Sequence, residues 1–490
     1  MPKNEKKKGW KESQRKRQSS QQSVQKADQA QKEKEAERKV RFGRKGKIVL
    51  AISLVALVLG VLAVWQLAVM FAAPQSFTTI YIRADGSVDP ANASISIAEN
   101  HYTFTTDIYG YLIIERDNII VDGANHVLQG PRETDSKGID LSGRSHVTIA
   151  NIRLRGFGFG IYLNESNNIF LSQNDISNPS SDFSISTFGI ELRFSPNNKV
   201  TGNSITGCSG AIGLSDSPNN DISQNNLQSN GYSISLVNSS DNTISGNNIA
   251  GSAGAIGLSE SFGNNVHGNY MNLNQECILI ESSFGNSILE NIMVNNDEAV
   301  TIFQSNDNII KSNNFDSNIY GISLTNSSGN SIAENAVTNS TVAIGLSQSS
   351  NNNITKNELQ RISYSISLSN SSNNNISENA IAATNYAITL SLSSDNSVID
   401  NYLAGNEYGI QLTNSSNNKL FKNTFAYNTN QLLSLDSVNI WDDGYPNGGN
   451  YWSDYQSFYT DAEEIDSSGI WNTPYIIDAE NKDNYPLVNP

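Results

Sequence analysis

Eleven times in succession, from Gly189 to Gly409, a small residue is followed by Ile or Val, any residue, and Leu or Ile, each copy 22 residues after the last. Gly138 and Gly160 extend the series upstream at the same spacing; the Gly160 turn is longer by seven residues, and Gln431 closes the series in a degraded copy. A self-repeat of this period predicts a solenoid and outranks any local reading. Counting the small residue as position 0, positions 1 and 3 are apolar (Ile322, Leu324), as are position 11 (Ile332, Ile354) and position 16 (Leu359, Ile381). Positions 1 and 3 share one side of a strand, because side chains alternate with period two. Three short apolar groups between polar bends suit three short strands per coil, and no group has a helical period. The L-x-x-L-x-L signature of a leucine-rich repeat is absent.

The expected fold is therefore all-β, a single-stranded parallel β-helix, right-handed because each coil is a parallel crossover. Fourteen turns at ~4.8 Å predict a stack of roughly 65–70 Å. Position 6 is Ser from Ser166 to Ser415, position 9 reads as Asn from Asn168 to Asn418, and position 14 is Asn from Asn174 to Asn423. Asn amides both donate and accept, so columns of them are expected to bond up the coil and satisfy corners that would otherwise be buried without partners. They are read as architecture.

Charge divides the chain. Residues 1–47 hold 17 Lys or Arg against 6 Asp or Glu, whereas the rest holds 15 against 42. Such asymmetry argues for two compartments, and an exported surface this acidic excludes nucleic acid as a partner. Residues 48–73 carry no charge and are long enough to span a bilayer with some tilt. The basic leader places the N-terminus inside. The expected organisation is a disordered cytoplasmic leader (1–47), a transmembrane helix (48–73), an N-terminal cap with the first coils (74–137), regular repeats (138–436) and a C-terminal cap module (437–490). The expected location is the cell membrane, single-pass, with the β-helix extracellular. The only cysteines, Cys208 and Cys277, fall at different coil positions three turns apart, too far for a disulfide.

The repeats GISLTNSSGNSIAENAV and GIQLTNSSNNKLFKNTF resemble those of NosD-like proteins, and of the wider group of carbohydrate-binding proteins and sugar hydrolases with a parallel β-helix. The segment IIVDGANHVLQG looks like an opening coil of the pectin-lyase-like fold. The tail NIWDDGYPNGGNYWSDY, followed by GIWNTPYIID and DNYPL, looks like the terminal module of exported archaeal NosD-like proteins. The resemblance spans 78–490. It implies the fold and, by the family's name, copper delivery to nitrous oxide reductase. Copper needs clustered soft or imidazole ligands. The chain has four His (His101, His126, His146, His267), and its exported Met271 and Met293 stand at the buried position 16, so no metal site is expected. Relatives often carry an acidic loop before the TPY element, where this chain reads Ser467 to Asn472. Asp442, Asp443, Asp454 and Asp483 leave calcium as an alternative to turn and cap hydrogen bonding.

Position 21, just before the small-Ile-x-Leu strand, holds Tyr232, Tyr320, Tyr364, Tyr386 and Tyr408, and positions 0 and 2 beside it are mostly small. Positions 0 and 2 are expected to face outward, so the small strip beside the tyrosines forms a platform for an extended glycan; alternatively the rings pack on one another. Glu276 and Glu298 occupy the same column on adjacent coils, where like charge should raise one pKa and create an acid/base pair. The loop at 179–187 should protrude beside the same strip, with Asp140 and Glu191 outward on nearby coils. Arg193 reads as isolated and Arg361 lies elsewhere, so a lyase cluster is lacking. Nine N-x-S/T sequons occur, at Asn92, Asn164, Asn238, Asn326, Asn339, Asn353, Asn370, Asn375 and Asn414. The expected function is a membrane-anchored cell-surface rod that binds glycan or cell-envelope polysaccharide, or is structural. The alternatives are a polysaccharide lyase or glycoside hydrolase on the same scaffold and, behind both, a copper-binding accessory protein. Oligomeric state is not legible.

Overall fold

The computed structural model describes residues 77–178 and 187–490. The leader, the apolar span 48–73 and nearly all of the loop 179–187 lie outside the described residues. Among those described, no helix is long and apolar enough to cross a membrane.

One coil illustrates how the repeat folds. Tyr320–Thr325, Ser331–Ala333 and Ala336–Thr338 are its three strands, one in each of three parallel sheets. The next coil pairs with it in register, Ile322 with Ile344, Ile332 with Ile354 and Val337 with Leu359. Twenty-two residues therefore make one turn, and about fifteen turns form a right-handed parallel β-helix. Ile322, Ile332 and Val337 are fully buried, like their equivalents above and below. Each such side chain contributes about 2 kcal/mol of apolar burial, repeated along one continuous core.

Four residues per coil bend the chain with positive φ: Asn326 (52°), Gly329 (68°), Glu334 (57°) and Asn339 (53°) in the coil above. The corners that these bends create are closed by side-chain columns. The Asn308 N–H donates to Asn330 Oδ1 at 2.9 Å, and Asn330 in turn donates to Asn352 Oδ1 at 2.8 Å. The position-14 column repeats this from Asn313 to Asn335 and Asn357, each at 3.0 Å. Position 6 does the same through hydroxyls, with Ser327 N–H on Ser349 Oγ at 3.1 Å. Every backbone N–H in these columns points toward the following coil, while the Asn amides also donate back to carbonyls of the coil before, so each column ends on an N–H that needs an acceptor.

Two details of the sequence register are corrected. The position-9 column begins at Asn198; in the Gly160 coil the site is Ile169, whose N–H donates to Asn198 Oδ1 at 2.9 Å. Asn168 lies one residue earlier, in left-handed backbone. Position 0 faces inward, not outward: Ala255, Cys277, Ala299, Ala343 and Ala387 are fully buried. The strand bends between positions 0 and 1, so both enter the core. A Cβ at Gly321 would lie 2.6 Å from the Ala343 carbonyl oxygen, which is why this site is small. A third polar column, at position 19, was missed because Cys208, Ser252 and Ile362 interrupt its asparagines. Cys208 N–H still donates to Asn230 Oδ1 at 3.0 Å, and Asn274 N–H to Asn296 Oδ1 at 2.9 Å. Both cysteines are buried and free.

The ends differ from the body. Ile95–Ala98 runs antiparallel to His101–Phe104 beneath the second sheet, and Val88–Asp89 antiparallel to Thr78–Ile82 beside the first. At the other end Tyr451–Trp452 adds to the third sheet against Thr424–Ala426. Trp452 stacks on Phe425 at 4.2 Å and on Tyr475 at 4.3 Å, so aromatic rings seal the core where no further coil follows.

Candidate functional site on the first sheet

The outward face of the first sheet is lined by positions 21, 2 and 4. Its tyrosines divide into two kinds. Tyr364, Tyr386 and Tyr408 form a pile, with centroids 4.9 and 5.1 Å apart and planes within 8°. Neighbours cover both faces of Tyr386, leaving ring edges and hydroxyls outward. Tyr232 is 57% exposed, and its ring leans over the next coil, where a Cβ at Gly254 would meet Cδ1 at 2.6 Å. Phe188 leans over Gly210 in the same way. Glycines thus interrupt the aromatic column where a ring from the coil below needs the space. Tyr320, 42% exposed, pairs in register with Val342.

Glu276 and Glu298 are direct cross-strand partners, both half-buried. Burial and then the Glu298 charge hold the Glu276 carboxyl above its ordinary range. The Thr301 hydroxyl donates to Glu298 Oε2 at 2.8 Å.

The densest chemistry lies at the other end of this face. Arg193 is not isolated: its Nε donates to Glu191 Oε1 at 3.0 Å. Glu191 points outward from the sheet yet is only 3% exposed, and its Oε2 has no hydrogen-bond partner among the described residues. Burial raises its carboxyl pKa, against the lowering effect of Arg193. On the coils below, Lys137 pairs with Asp140 at 2.9 Å and lies 3.8 Å from the centroid of Tyr162, whose other neighbours include Phe159 and the Arg193 guanidinium. The sequence placed Asp140 and Glu191 on nearby coils of this face but left out their basic partners Lys137 and Arg193, because the cluster's members come from three coils. The signal available was two acids at position 2, Asp140 and Glu191, in a column whose next members, Gly213, Ser235 and Gly257, are small.

Glu191 Oε2 sits over Gly213, 2.2 Å from where a Cβ would be. From there the floor of the face is Gly213, Ser235 and Gly257, and above Gly257 there is open space. The result is a trough from Glu191 and Arg193 to Glu276, four coil spacings or ~19 Å long, with Phe188 and Tyr232 along one side. Arg361 is remote from it, bonded through Nε to Asn339.

Residues 94–278 and 271–457 match the family described as periplasmic copper-binding protein (NosD). The chain belongs to the NosD family. The residues present do not fit the copper that this family's description names. Among the described residues no three His, Cys, Asp or Glu converge. Met271 and Met293 pair in register, but both are fully buried in the core. The aspartates considered for calcium are each taken up by protein donors: Asp442 accepts from Asn484, Asp443 from Asn447, Asp454 from Tyr475 and Asp483 from Asn450 and Trp452.

Among curated proteins none matches this NosD-family chain. Solved structures similar to it include the periplasmic alginate epimerase AlgG, at 15% identity over 59% of this chain and 80% of that one, with a TM-score of 0.44. PfbA, a surface adhesin of Streptococcus pneumoniae, is 14% identical over 56% of this chain and 85% of that one (TM-score 0.42). The tailspike protein of E. coli bacteriophage HK620, in complex with a pentasaccharide, is 13% identical over 67% and 74% (TM-score 0.42). Likeness at this level carries nothing about activity.

Proposed function

We propose that this NosD-family chain is a cell-surface polysaccharide-binding β-helix, anchored by residues 48–73 with its N-terminus cytoplasmic and its coil outside. The glycan lies along the first sheet in the trough floored by Gly213, Ser235 and Gly257. The observation that carries this reading is the Glu191 Oε2, without a hydrogen-bond partner among the described residues and buried where the small-residue strip begins. Leaving such an oxygen unpaired costs about 1–3 kcal/mol, which a ligand hydroxyl donating to it recovers. Tyr232 supplies an apolar side wall, whereas Tyr364, Tyr386 and Tyr408 cover one another's faces and brace the edge beyond it.

The test is retention of the full-length protein, solubilised in detergent, on a glycan array. Glu191→Gln with Tyr232→Ala is expected to reduce retention at least tenfold with the circular dichroism unchanged. Equal retention by this double variant and the parent removes the trough from consideration. A glycoside hydrolase is the second reading, favoured by the raised Glu276 carboxyl beside Glu298. It requires reducing-sugar release that Glu298→Gln abolishes.

A further inference from the structure

The nine sequons are not equivalent in the folded coil. Asn164, Asn353 and Asn375 lie within strands. The amides of Asn238 and Asn339 are spent on the Asp216 and Asp316 carboxylates, and Asn339 also accepts from Arg361 at 2.9 Å. Asn92 stands in a turn of the N-terminal cap.

Asn326, Asn370 and Asn414 share the bend and the following serine pair of Asn238 (φ 48°), but none of their amides is bonded to a carboxylate. Each immediately follows a first-sheet strand, at the end of Tyr320–Thr325, Tyr364–Ser369 and Tyr408–Thr413. Each is exposed at the same bend, with φ of 52°, 48° and 47°. The only side-chain bond among the three is a weak one, Asn370 Nδ2 to Ser369 Oγ at 3.4 Å. The following residues, Ser327, Ser371 and Ser415, turn inward to the serine column, and each hydroxyl donates to the carbonyl two residues earlier at 2.8–2.9 Å. That column presents every sequon identically, with the half-buried hydroxyls of Ser328, Ser372 and Ser416 two residues on.

Their spacing is the second observation. Successive members are two coils apart, ~9.6 Å along the stack. The intervening coils keep both serines but place Gln348 and Leu392 at the bend. A sugar with its hydroxyls is wider than one coil spacing, so adjacent coils cannot both carry one, whereas alternate coils have room.

We propose that Asn326, Asn370 and Asn414 are N-glycosylated, forming a row of glycans at two-coil intervals along the edge where the first sheet turns into the second. In each transfer the Asn Nδ2 forms a bond to the anomeric carbon of a lipid diphosphate-linked oligosaccharide. The bond from that carbon to the diphosphate oxygen breaks, the lipid diphosphate leaves, and the amide loses one proton. The row flanks the first sheet on the side away from the tyrosines, leaving the trough accessible from the other. This rests on the proposed export of the coil.

The experiment uses full-length protein from its own cells, with surface labelling of intact cells and peptide mass spectrometry of the purified chain. Peptides containing Asn326, Asn370 and Asn414 should each carry a hexose-containing mass, and each Asn→Gln variant should lose one glycan and no more. Unmodified corner peptides on a coil labelled from outside would overturn the row while leaving export intact. A coil that resists labelling would overturn both. Glycans on Asn353 or Asn375 instead of the corner would also reject the proposal.

Discussion

The carboxylate of Asp483 stands where a further asparagine would continue the position-14 column, accepting the Asn450 backbone N–H at 2.7 Å. Asn450 itself receives Asn423, the last regular member, at 3.0 Å. Because the column's backbone N–H groups all point toward the C-terminus, the final rung needs an acceptor, and Asp483 supplies it, taking Trp452 Nε1 and the Tyr485 N–H as well. Two residues earlier, Asn481 closes the position-9 column by accepting from Asn439 at 2.9 Å. The short segment around Asn481 and Asp483 thus terminates the position-9 and position-14 columns.

Asp483 is fully buried, and burial pushes its pKa up to about 7, with Asp442 adding to the rise. An acid whose folded pKa exceeds its unfolded value binds more protons when folded. Its contribution to stability is therefore present below about pH 4 and is lost as pH rises toward about 7. The C-terminal module should exchange its amide hydrogens faster at pH 8 than at pH 5 after correction for intrinsic rates. Asp483→Asn should flatten that dependence, and a wild-type slope in this variant would show that another group is responsible.

Within the columns, Asn335→Ala strands the Asn313 N–H and leaves the Ile310 carbonyl without its side-chain donor, both buried. The expected cost is about 2–3 kcal/mol in chemical unfolding. The loosening should be confined to the neighbouring coils, since each repeat contacts only those next to it. A change below about 0.5 kcal/mol would mean that water replaces the amide.

The stacked rings make a different prediction. Tyr386→Ala should lower the melting temperature, because two ring contacts are lost, yet leave glycan retention unchanged. Tyr232→Ala should do the reverse. If both variants lost binding equally, the whole tyrosine edge would be a ligand platform.

Copper should not bind tightly to the coil. Addition of Cu(I) under reducing conditions is expected to leave the melting temperature within about a degree, since a tight ligand shifts it by several. The thiols offer nothing to it: burial pushes Cys208 up to about 12 and Cys277 upward as well. Neither should react with a thiol reagent until the chain is denatured. Stoichiometric copper in equilibrium dialysis would overturn this assignment.

The coil was legible because its signal repeats. Ile322, Ile344 and Ile366 each carry little information alone, but one interval shared by eleven copies admits a single fold. What periodicity cannot give is the direction of a side chain at a bend. Position 0 reads as an outward neighbour of position 2 by strict alternation, and the backbone turns it inward. The same limit hid the full cluster, since Lys137, Tyr162 and the Glu191–Arg193 pair come from three coils and meet only by stacking.

The amino-acid order by itself determined the turn length, the residues that fill the core and the polar columns that hold the corners, because those depend on a register that repetition makes redundant. Tertiary structure alone decided which tyrosines cover one another, which glutamate is buried without a partner and how the columns end. Those outcomes depend on contacts between successive coils and on irregular ends, where no repeat constrains the answer and local packing fixes each side chain.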